Sequence, residues 1–216
     1  MSATDVLDAH PNATVLTVDF FDTMVTRTVA QPTHVFAVVE KELVAQHGSR
    51  WRGVAVERVH AEHRARIAAA ATDVLRDITI DEIADQLADA MKLNQAERDL
   101  FVRSEKATEI ALAQPVPAGA AIINEAILRG LRVLIVSDNY MPTSQLVSMA
   151  HAAGYSWVTA ADVLVSCEHG GFKHNGVLWK VALGVAGVPP ALGTFGSEGT
   201  FGNAIGFTLF VIITPI

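Results

Sequence analysis

The sequence has few of the features that mark secreted or membrane-bound proteins. Its 216 residues include a single cysteine, Cys167, so no internal disulfide can form, as suits a reducing compartment. The longest apolar run, residues 207–213, is too short to cross a bilayer, and the first residues lack the basic-then-apolar order of a signal peptide. We therefore expect a cytoplasmic protein without membrane contacts.

Charge is also scarce, and its balance is acidic. Only 18% of the residues are charged, and the formal net charge of −7 argues against a general nucleic-acid or membrane-surface binder. Half of the residues are apolar, which is enough for a sizeable core. This length and composition predict one domain, or one domain with an insertion.

The most informative stretch is residues 14–27, T-V-L-T-V-D-F-F-D-T-M-V-T-R. Its first half is a short, β-branched apolar run, which predicts a buried strand of a parallel sheet. The run ends at Asp19, with Asp22 three positions further on. Ligands of open α/β sheets bind beyond the carboxyl ends of strands, where a carboxylate can act as a nucleophile or bind Mg²⁺. The alternative is a solvated strand-end aspartate followed by a turn aspartate.

The middle of the chain, from residue 33 to about 113, is alanine-rich and helical in period. Thr33 is a candidate cap for a helix that Gly48 stops, and a second helix is predicted over residues 51–71. Thr79 with Glu82, and Asn94 with Glu97, form capping-box patterns that open two more helices.

Strands and helices alternate in the last third of the chain. Strands are predicted over residues 132–137, 163–165, 192–195 and 207–213, and helices over residues 118–129, 143–154 and 177–185. This alternation predicts a doubly wound, Rossmann-like parallel sheet with an all-helical cap insertion. We expect an α/β core from residues 1–30 and 115–216, and a cap from residues 31–114.

Polar residues follow several of these strands. Ser137 ends one strand and precedes Asp138 and Asn139, where a hydroxyl and free turn amides can hold an anionic oxygen. Lys173 lies in a glycine-flanked loop, and Glu198 follows the predicted strand at 192–195. Singly, these residues could be a helix cap or solvated loop residues. Together, at the strand ends of one sheet, they predict a site.

Three motifs make the chain resemble the haloacid dehalogenase (HAD) superfamily. A first motif D-x-F-D-T-L stands here as D-F-F-D-T-M at residues 19–24, with Arg27 where that branch carries an arginine. A second motif, S-D-x-Y-x-P, stands at residues 137–142. The third, S-x-E-x-x-x-x-K-x-x-G, stands at residues 166–176 with Lys173 in place.

The resemblance implies a two-step hydrolysis of a small phosphorylated metabolite. Asp19 would attack the phosphoryl group, and water would hydrolyse the covalent aspartyl intermediate, while Ser137 and Lys173 stabilise the transferring group and offset charge. The substrate-binding group would comprise Phe21, Thr23, Asp138 and Asn139. Mg²⁺ would be held by Asp19, by the main-chain carbonyl of Phe21 and by an acid of the fourth motif, here Glu198.

Two departures from the pattern keep other functions open. Phe21 replaces the usual second aspartate, so Asp22 is the candidate general acid and base. Ser197 follows Gly196 where an aspartate is usual, so Glu198 takes the acid position only if the loop is shorter. These changes favour two alternatives: a cation-independent dehalogenase-type hydrolase, because halide leaves without a proton, or an impaired protein that binds a ligand or partner. Exposed cap helices can pair between two copies of the chain, so the sequence is also compatible with a homodimer.

Overall fold

The fold is an α/β core with a helical insertion after its first strand. A computed structural model describes residues 3–187, 194–195 and 210–214. Its strands are β1 (Val15–Val18), β2 (Val25–Arg27), β3 (Ala113–Pro115), β4 (Arg132–Ser137), β5 (Val163–Val165), β6 (Thr194–Phe195) and β7 (Phe210–Thr214). Its helices are α1 (Ala3–Asp8), α2 (His34–His47), α3 (Val54–Ala70), α4 (Ile80–Met91), α5 (Gln95–Leu112), α6 (Pro117–Leu128), α7 (Thr143–Ala152), α8 (Ser166–His169) and α9 (Val177–Val185), with 3₁₀ turns at Ser49–Trp51 and Ala160–Asp162.

Strand β1 lies at the centre of a five-stranded sheet with the order β5-β4-β1-β7-β6. Strands β5, β4 and β1 are parallel, and the register places Val18 beside Ile135 and Ser137 beside Val165. All four residues of β1 are buried, as expected for a strand covered on both faces. The carboxyl ends of three parallel strands therefore meet at one edge, and the predicted α/β fold is confirmed.

The direction of the last strand differs from the prediction of a fully parallel sheet. The strand expected near residues 207–213 is present as β7, but it runs antiparallel to β1 and to β6. An apolar, β-branched run signals burial and carries no information about direction. Direction is set by the connection that precedes a strand, because parallel neighbours need a crossover and antiparallel neighbours do not.

The insertion between β2 and β3 contains α2 to α5. Both capping boxes are present, since Thr79 and Glu82, and Asn94 and Glu97, exchange side-chain and main-chain hydrogen bonds. The cap predicted for α2 is wrong in one detail: Thr33 stands at the N-cap without a side-chain hydrogen bond. None of the helices in the described ranges is long and apolar enough to cross a membrane.

Strands β2 and β3 form a short antiparallel ribbon where the chain enters and leaves the insertion. Sequence reasoning missed this ribbon, because each strand has three residues and β3 ends in Pro115, which cannot donate a ladder hydrogen bond. The ribbon brings Arg27 opposite Ala113. Both ends of the insertion therefore leave the core side by side.

The turn after β1 is fixed by close packing. The amides of Met24 and Val25 both donate to the carbonyl of Phe20, which is fully buried. Helix α6 packs so closely on this turn that a Cβ on Gly119 would lie 1.8 Å from the carbonyl oxygen of Thr23. Only glycine fits there, so α6 holds the loop that follows Asp19 in one position.

Candidate active site

Asp19 is the first residue beyond β1, and one of its two carboxylate oxygens is anchored. Its Oδ1 accepts hydrogen bonds from the Lys173 ammonium and from the main-chain amide of Phe20, both at 2.8 Å. Among the described residues, none donates a hydrogen bond to Oδ2. The side chain is 24% exposed. Among the described residues, the carboxylate is therefore held through Oδ1 alone, an arrangement that suits a nucleophile.

Lys173 is held through its main chain as well as its side chain. Its backbone amide donates to Asp138 Oδ1 at 2.8 Å. Asn175 Oδ1 accepts from the amides of Phe172 and Val177 at 3.0 and 3.1 Å, which closes the loop around the lysine. Sequence reasoning missed Asn175, although asparagine commonly forms turns by accepting hydrogen bonds from nearby backbone amides.

Asp138 is the second carboxylate of this group. Partial desolvation raises the pKa of Asp138 above its ordinary value, the hydrogen bond and charge of Lys173 oppose that rise, and the charges of Asp19 and Asp77 add to it. A carboxyl with a raised pKa can accept and release a proton closer to neutral pH. The site thus joins both carboxylates to Lys173, Asp19 through the ammonium and Asp138 through the backbone amide.

In the loop after β4, both the side chain and the backbone amide of Asn139 are hydrogen-bonded within the protein. Ser137 is buried at the end of the strand. The side chain of Asn139 accepts from the amide of Met141 at 2.7 Å, and the backbone amide of Asn139 donates to Ser166 Oγ at 2.8 Å. The Asn139 amide, which we expected to face an anionic ligand, therefore already has a partner in Ser166.

Within the described chain, the hydrogen bonds of Asp22 stay inside its own loop. Asp22 adopts a left-handed backbone with φ of 57°, and its Oδ1 accepts from Thr26 Oγ1 at 3.1 Å. Asp22 also lines a cavity of about 570 Å³ beside Thr26, Arg27 and Pro117. No described contact joins Asp22 to Asp19 or Lys173.

Phe21 packs against Arg27 and Phe20, and Thr23 is enclosed by the protein. The Arg27 guanidinium lies 3.8 Å from the centre of the Phe21 ring, and the Phe20 ring packs edge-on against it at 4.9 Å. Thr23 is buried, and its hydroxyl has no hydrogen-bond partner in the described part of the chain. Position 21 thus carries an aromatic ring held by a cation–π contact with Arg27.

Arg27 is itself paired with the cap. Its guanidinium makes two hydrogen bonds to the Glu109 carboxylate, at 2.7 and 3.0 Å. Burial raises the pKa of Glu109, and the hydrogen bond and charge of Arg27 partly counter that rise. Arg27 therefore links β2 and Phe21 to α5.

Cap residues that the sequence reasoning left out touch both site loops. Tyr140 Oη donates to Glu105 Oε1 at 3.2 Å, and Ser166 Oγ donates to Asp77 Oδ2 at 2.6 Å. A signal was present, because Arg58, Glu62 and Arg66 recur at four-residue spacing along α3. That spacing predicts a helix face of paired charges, although it does not predict which loop the face meets.

The expected Mg²⁺ ligands are only partly within the described chain. Asp19 and the carbonyl of Phe21 lie in it, whereas Glu198, Ser197 and Gly196 lie outside the described residues. Within the described ranges, no group of three or more histidine, cysteine, aspartate or glutamate side chains is placed to hold a metal ion. These residues alone do not complete a divalent-cation site, so Mg²⁺ stays a prediction.

Comparisons with known proteins concern the fold. No protein-family model matches the chain, and neither does any curated protein. The L-2-haloacid dehalogenase of Xanthobacter autotrophicus with covalently bound chloropropionic acid is similar over 81% of this chain, at 16% identity and a TM-score of 0.49. A second L-2-haloacid dehalogenase is similar over 83% of this chain, at 18% identity and a TM-score of 0.48.

The chain spans just under two thirds (66%) of the first of these proteins and 74% of the second. Similarity at this level carries no conclusion about the reaction. Both of these structural neighbours are L-2-haloacid dehalogenases.

Proposed function

We propose that the protein is a hydrolase in which Asp19 acts as a nucleophile on a small phosphorylated metabolite. The observation that supports this proposal best is the anchoring of Asp19 Oδ1 by Lys173 and the Phe20 amide. It leaves Oδ2 as the attacking oxygen. A carboxylate held in the geometry of attack gains from proximity and orientation before any chemistry begins.

In the first step, Oδ2 of Asp19 attacks phosphorus. A new oxygen–phosphorus bond forms, and the bond to the leaving group breaks with its electron pair on the leaving group. Lys173 stays on Oδ1 and offsets the negative charge that accumulates around the transferring group. Ser137, at the end of β4, is the hydroxyl that we assign to a phosphoryl oxygen.

In the second step, water attacks phosphorus of the aspartyl phosphate. The bond between phosphorus and Asp19 breaks, the electron pair returns to the carboxylate, and phosphate is released. The proton lost by water passes to solvent, because Phe21 offers no base and the Asp22 carboxylate accepts from Thr26 Oγ1. The free Asp19 carboxylate is then ready for another substrate.

The surroundings of Phe21 restrict the leaving group. Phe21 cannot donate a proton, and the Asp22 carboxylate accepts a hydrogen bond from Thr26 Oγ1. General acid help is typically worth about 10²–10⁴-fold, so a poor leaving group would react slowly. We infer that the substrate carries a leaving group that departs unprotonated, as in acyl or aryl phosphates.

The same observation favours a second candidate, cation-independent hydrolysis of a carbon–halogen bond. Halide leaves with its electron pair and needs no proton. Asp19 would then form a carbon ester, and water would attack the ester carbonyl of Asp19. In water labelled with ¹⁸O, the label would enter the Asp19 side chain in this reaction, whereas phosphoryl transfer would send it into phosphate.

One experiment separates these candidates. Hydrolysis of 4-nitrophenyl phosphate, phenyl phosphate and 2-chloropropionate is measured for the native protein and for Asp19→Asn, with Mg²⁺ and with EDTA. The primary proposal predicts turnover of 4-nitrophenyl phosphate at least about 10²-fold faster than of phenyl phosphate, and its loss in Asp19→Asn. Chloride release instead selects the second candidate. If the native protein and Asp19→Asn give equal rates on every substrate, both hydrolase candidates fail. The remaining alternative is a protein that binds a ligand or partner without catalysis.

A further inference from the structure

Asp77 is a buried cap carboxylate with contacts on both sides of the boundary between cap and core. It lies between α3 and α4 and is 4% exposed. Its Oδ1 accepts from Arg66 Nη1 at 3.0 Å and from the amide of Ile78 at 2.8 Å. Its Oδ2 accepts from Ser166 Oγ, on the core side, at 2.6 Å. A residue outside every motif thus meets the third motif directly.

The Ser166 hydroxyl has two acceptors within reach, Asp77 Oδ2 at 2.6 Å and the main-chain carbonyl of Asn139 at 3.4 Å. The contact with Asp77 is much the shorter, so the hydroxyl proton points to Asp77. The oxygen of Ser166 is then left to accept, and it accepts the amide of Asn139 at 2.8 Å. Ser166 is fully buried and Asp77 is 4% exposed, so the hydrogen bond between them lies in the interior. Asp77 therefore determines which way Ser166 faces, and Ser166 determines where the Asn139 amide is held.

The chain of contacts continues to the nucleophile. Asn139 directly follows Asp138, whose carboxylate accepts from the backbone amide of Lys173. Lys173 in turn donates to Asp19. Each link is a direct hydrogen bond or a peptide bond, and every one of these groups is in the described chain. The position of the cap loop at Asp77 is thereby connected to the position of the Lys173 ammonium.

We propose that Asp77 is a positioning residue that, through Ser166 and the loop after β4, holds Lys173 in place against Asp19. The kinetic part of this proposal rests on the proposed hydrolase function, whereas the structural part does not. Asp77 acts through other residues, so its loss should lower kcat and leave KM nearly unchanged. The cap is then part of the catalytic arrangement even where it does not touch substrate.

The structural part is tested by amide hydrogen exchange at Asn139, followed by NMR. Asp77→Asn and Ser166→Ala should each speed exchange of this amide by about 10-fold or more, because its acceptor is lost or turned away. The matched control is Asp73→Asn, in the same segment, where Asp73 is exposed and caps only the Leu75 amide. Unchanged exchange in Asp77→Asn would overturn the proposal. If Asp77→Asn does not fold, exchange of the Asn139 amide in Ser166→Ala tests the same chain of hydrogen bonds, because that variant removes the acceptor on the core side.

The kinetic part is tested with whichever substrate the native protein turns over. Asp77→Asn and Ser166→Ala should each lower kcat by about 10-fold, and the double variant should be no slower than either single one, since the two act as a unit. Multiplying effects, or a change confined to KM, would contradict the positioning role. If Asp19→Asn matches the native protein on all substrates, the hydrolase proposal fails alone, and the exchange data still decide how Asp77 acts.

Discussion

The cap and the α/β core place their charged residues differently. In the cap, Arg58 and Glu105 are both fully buried and joined by two hydrogen bonds, at 2.8 and 2.9 Å. In the core, the strands are apolar and the ion pair between Lys173 and Asp19 lies at their carboxyl edge, with each side chain between a fifth and a quarter exposed. The buried pair is closed to ligands, whereas the edge pair is open to them. The Arg58–Glu105 pair therefore maintains structure, and the Lys173–Asp19 pair is available for chemistry.

The largest effect on activity is expected from Asp19→Asn. It removes the nucleophile and should lower kcat/KM by about 10⁴-fold or more. The free energy of unfolding should change by less than about 1 kcal/mol, because the ion pair with Lys173 is partly exposed and the asparagine oxygen can still accept. Steady-state kinetics and urea unfolding of the same preparation measure both. If Asp19→Asn retained activity but lost stability, the role of Asp19 would be structural rather than catalytic.

The largest effect on stability is expected from Arg58→Met in the cap. It leaves Glu105 as an unpaired carboxylate in the interior, which should lower the free energy of unfolding by about 3–5 kcal/mol. The matched control is Arg50→Met, whose partner Glu97 lies at the surface, where the loss should be much smaller than for Arg58→Met. Urea unfolding measures both. Equal losses in the two variants would remove the distinction between buried and exposed pairs.

A smaller, pH-dependent effect is expected at Glu62. Burial alone would raise the pKa of Glu62, but Arg58 and Arg66 outweigh burial and lower the pKa below its ordinary value of 4.5. The stability from this carboxylate is therefore present above pH 4.5 and is lost as the pH falls through the lowered folded-state pKa. Glu62→Gln should flatten the dependence of the urea midpoint on pH in that acidic window. An unchanged slope would show that Glu62 does not contribute.

The smallest effect is expected from Thr23→Val. The Thr23 hydroxyl is buried without a partner in the described chain, so replacing it with a methyl group of similar shape should leave stability within about 1 kcal/mol, or raise it. Thr108→Val is the control, because Thr108 Oγ1 donates to Glu42 at 3.4 Å. That variant should lose about 1 kcal/mol. A larger loss in Thr23→Val than in Thr108→Val would mean that the Thr23 hydroxyl has a partner.

The parts of the molecule that the sequence predicted well depend on short-range patterns. The period of apolar residues predicts β1 and β4, and the capping boxes at Thr79 and Asn94 predict where α4 and α5 begin. The rule that parallel strands end at one edge, together with the motifs, predicts that Asp19 and Lys173 meet. Their contact is present, and their catalytic roles stay predictions.

The parts that sequence reasoning missed depend on how distant segments pack. The contact of Asp77 with Ser166 exists only because the cap lies on the core in one particular way. The contact of the Asp22 carboxylate with Thr26 likewise depends on the conformation of the loop after β1, in which Asp22 has a left-handed backbone at φ 57°. The antiparallel direction of β7 likewise depends on its connection and its partners.

The central claim is that Asp19 becomes covalently attached to the substrate, and mass spectrometry of an acid-quenched single turnover tests it most directly. The peptide that contains Asp19 is compared between the native protein and Asp19→Asn, with the substrate that the native protein turns over. The account predicts an adduct on Asp19, of the mass of the transferred group, that forms and decays within one turnover and is absent from the variant. Product formation with no adduct at Asp19, or with an adduct on another residue, would contradict it.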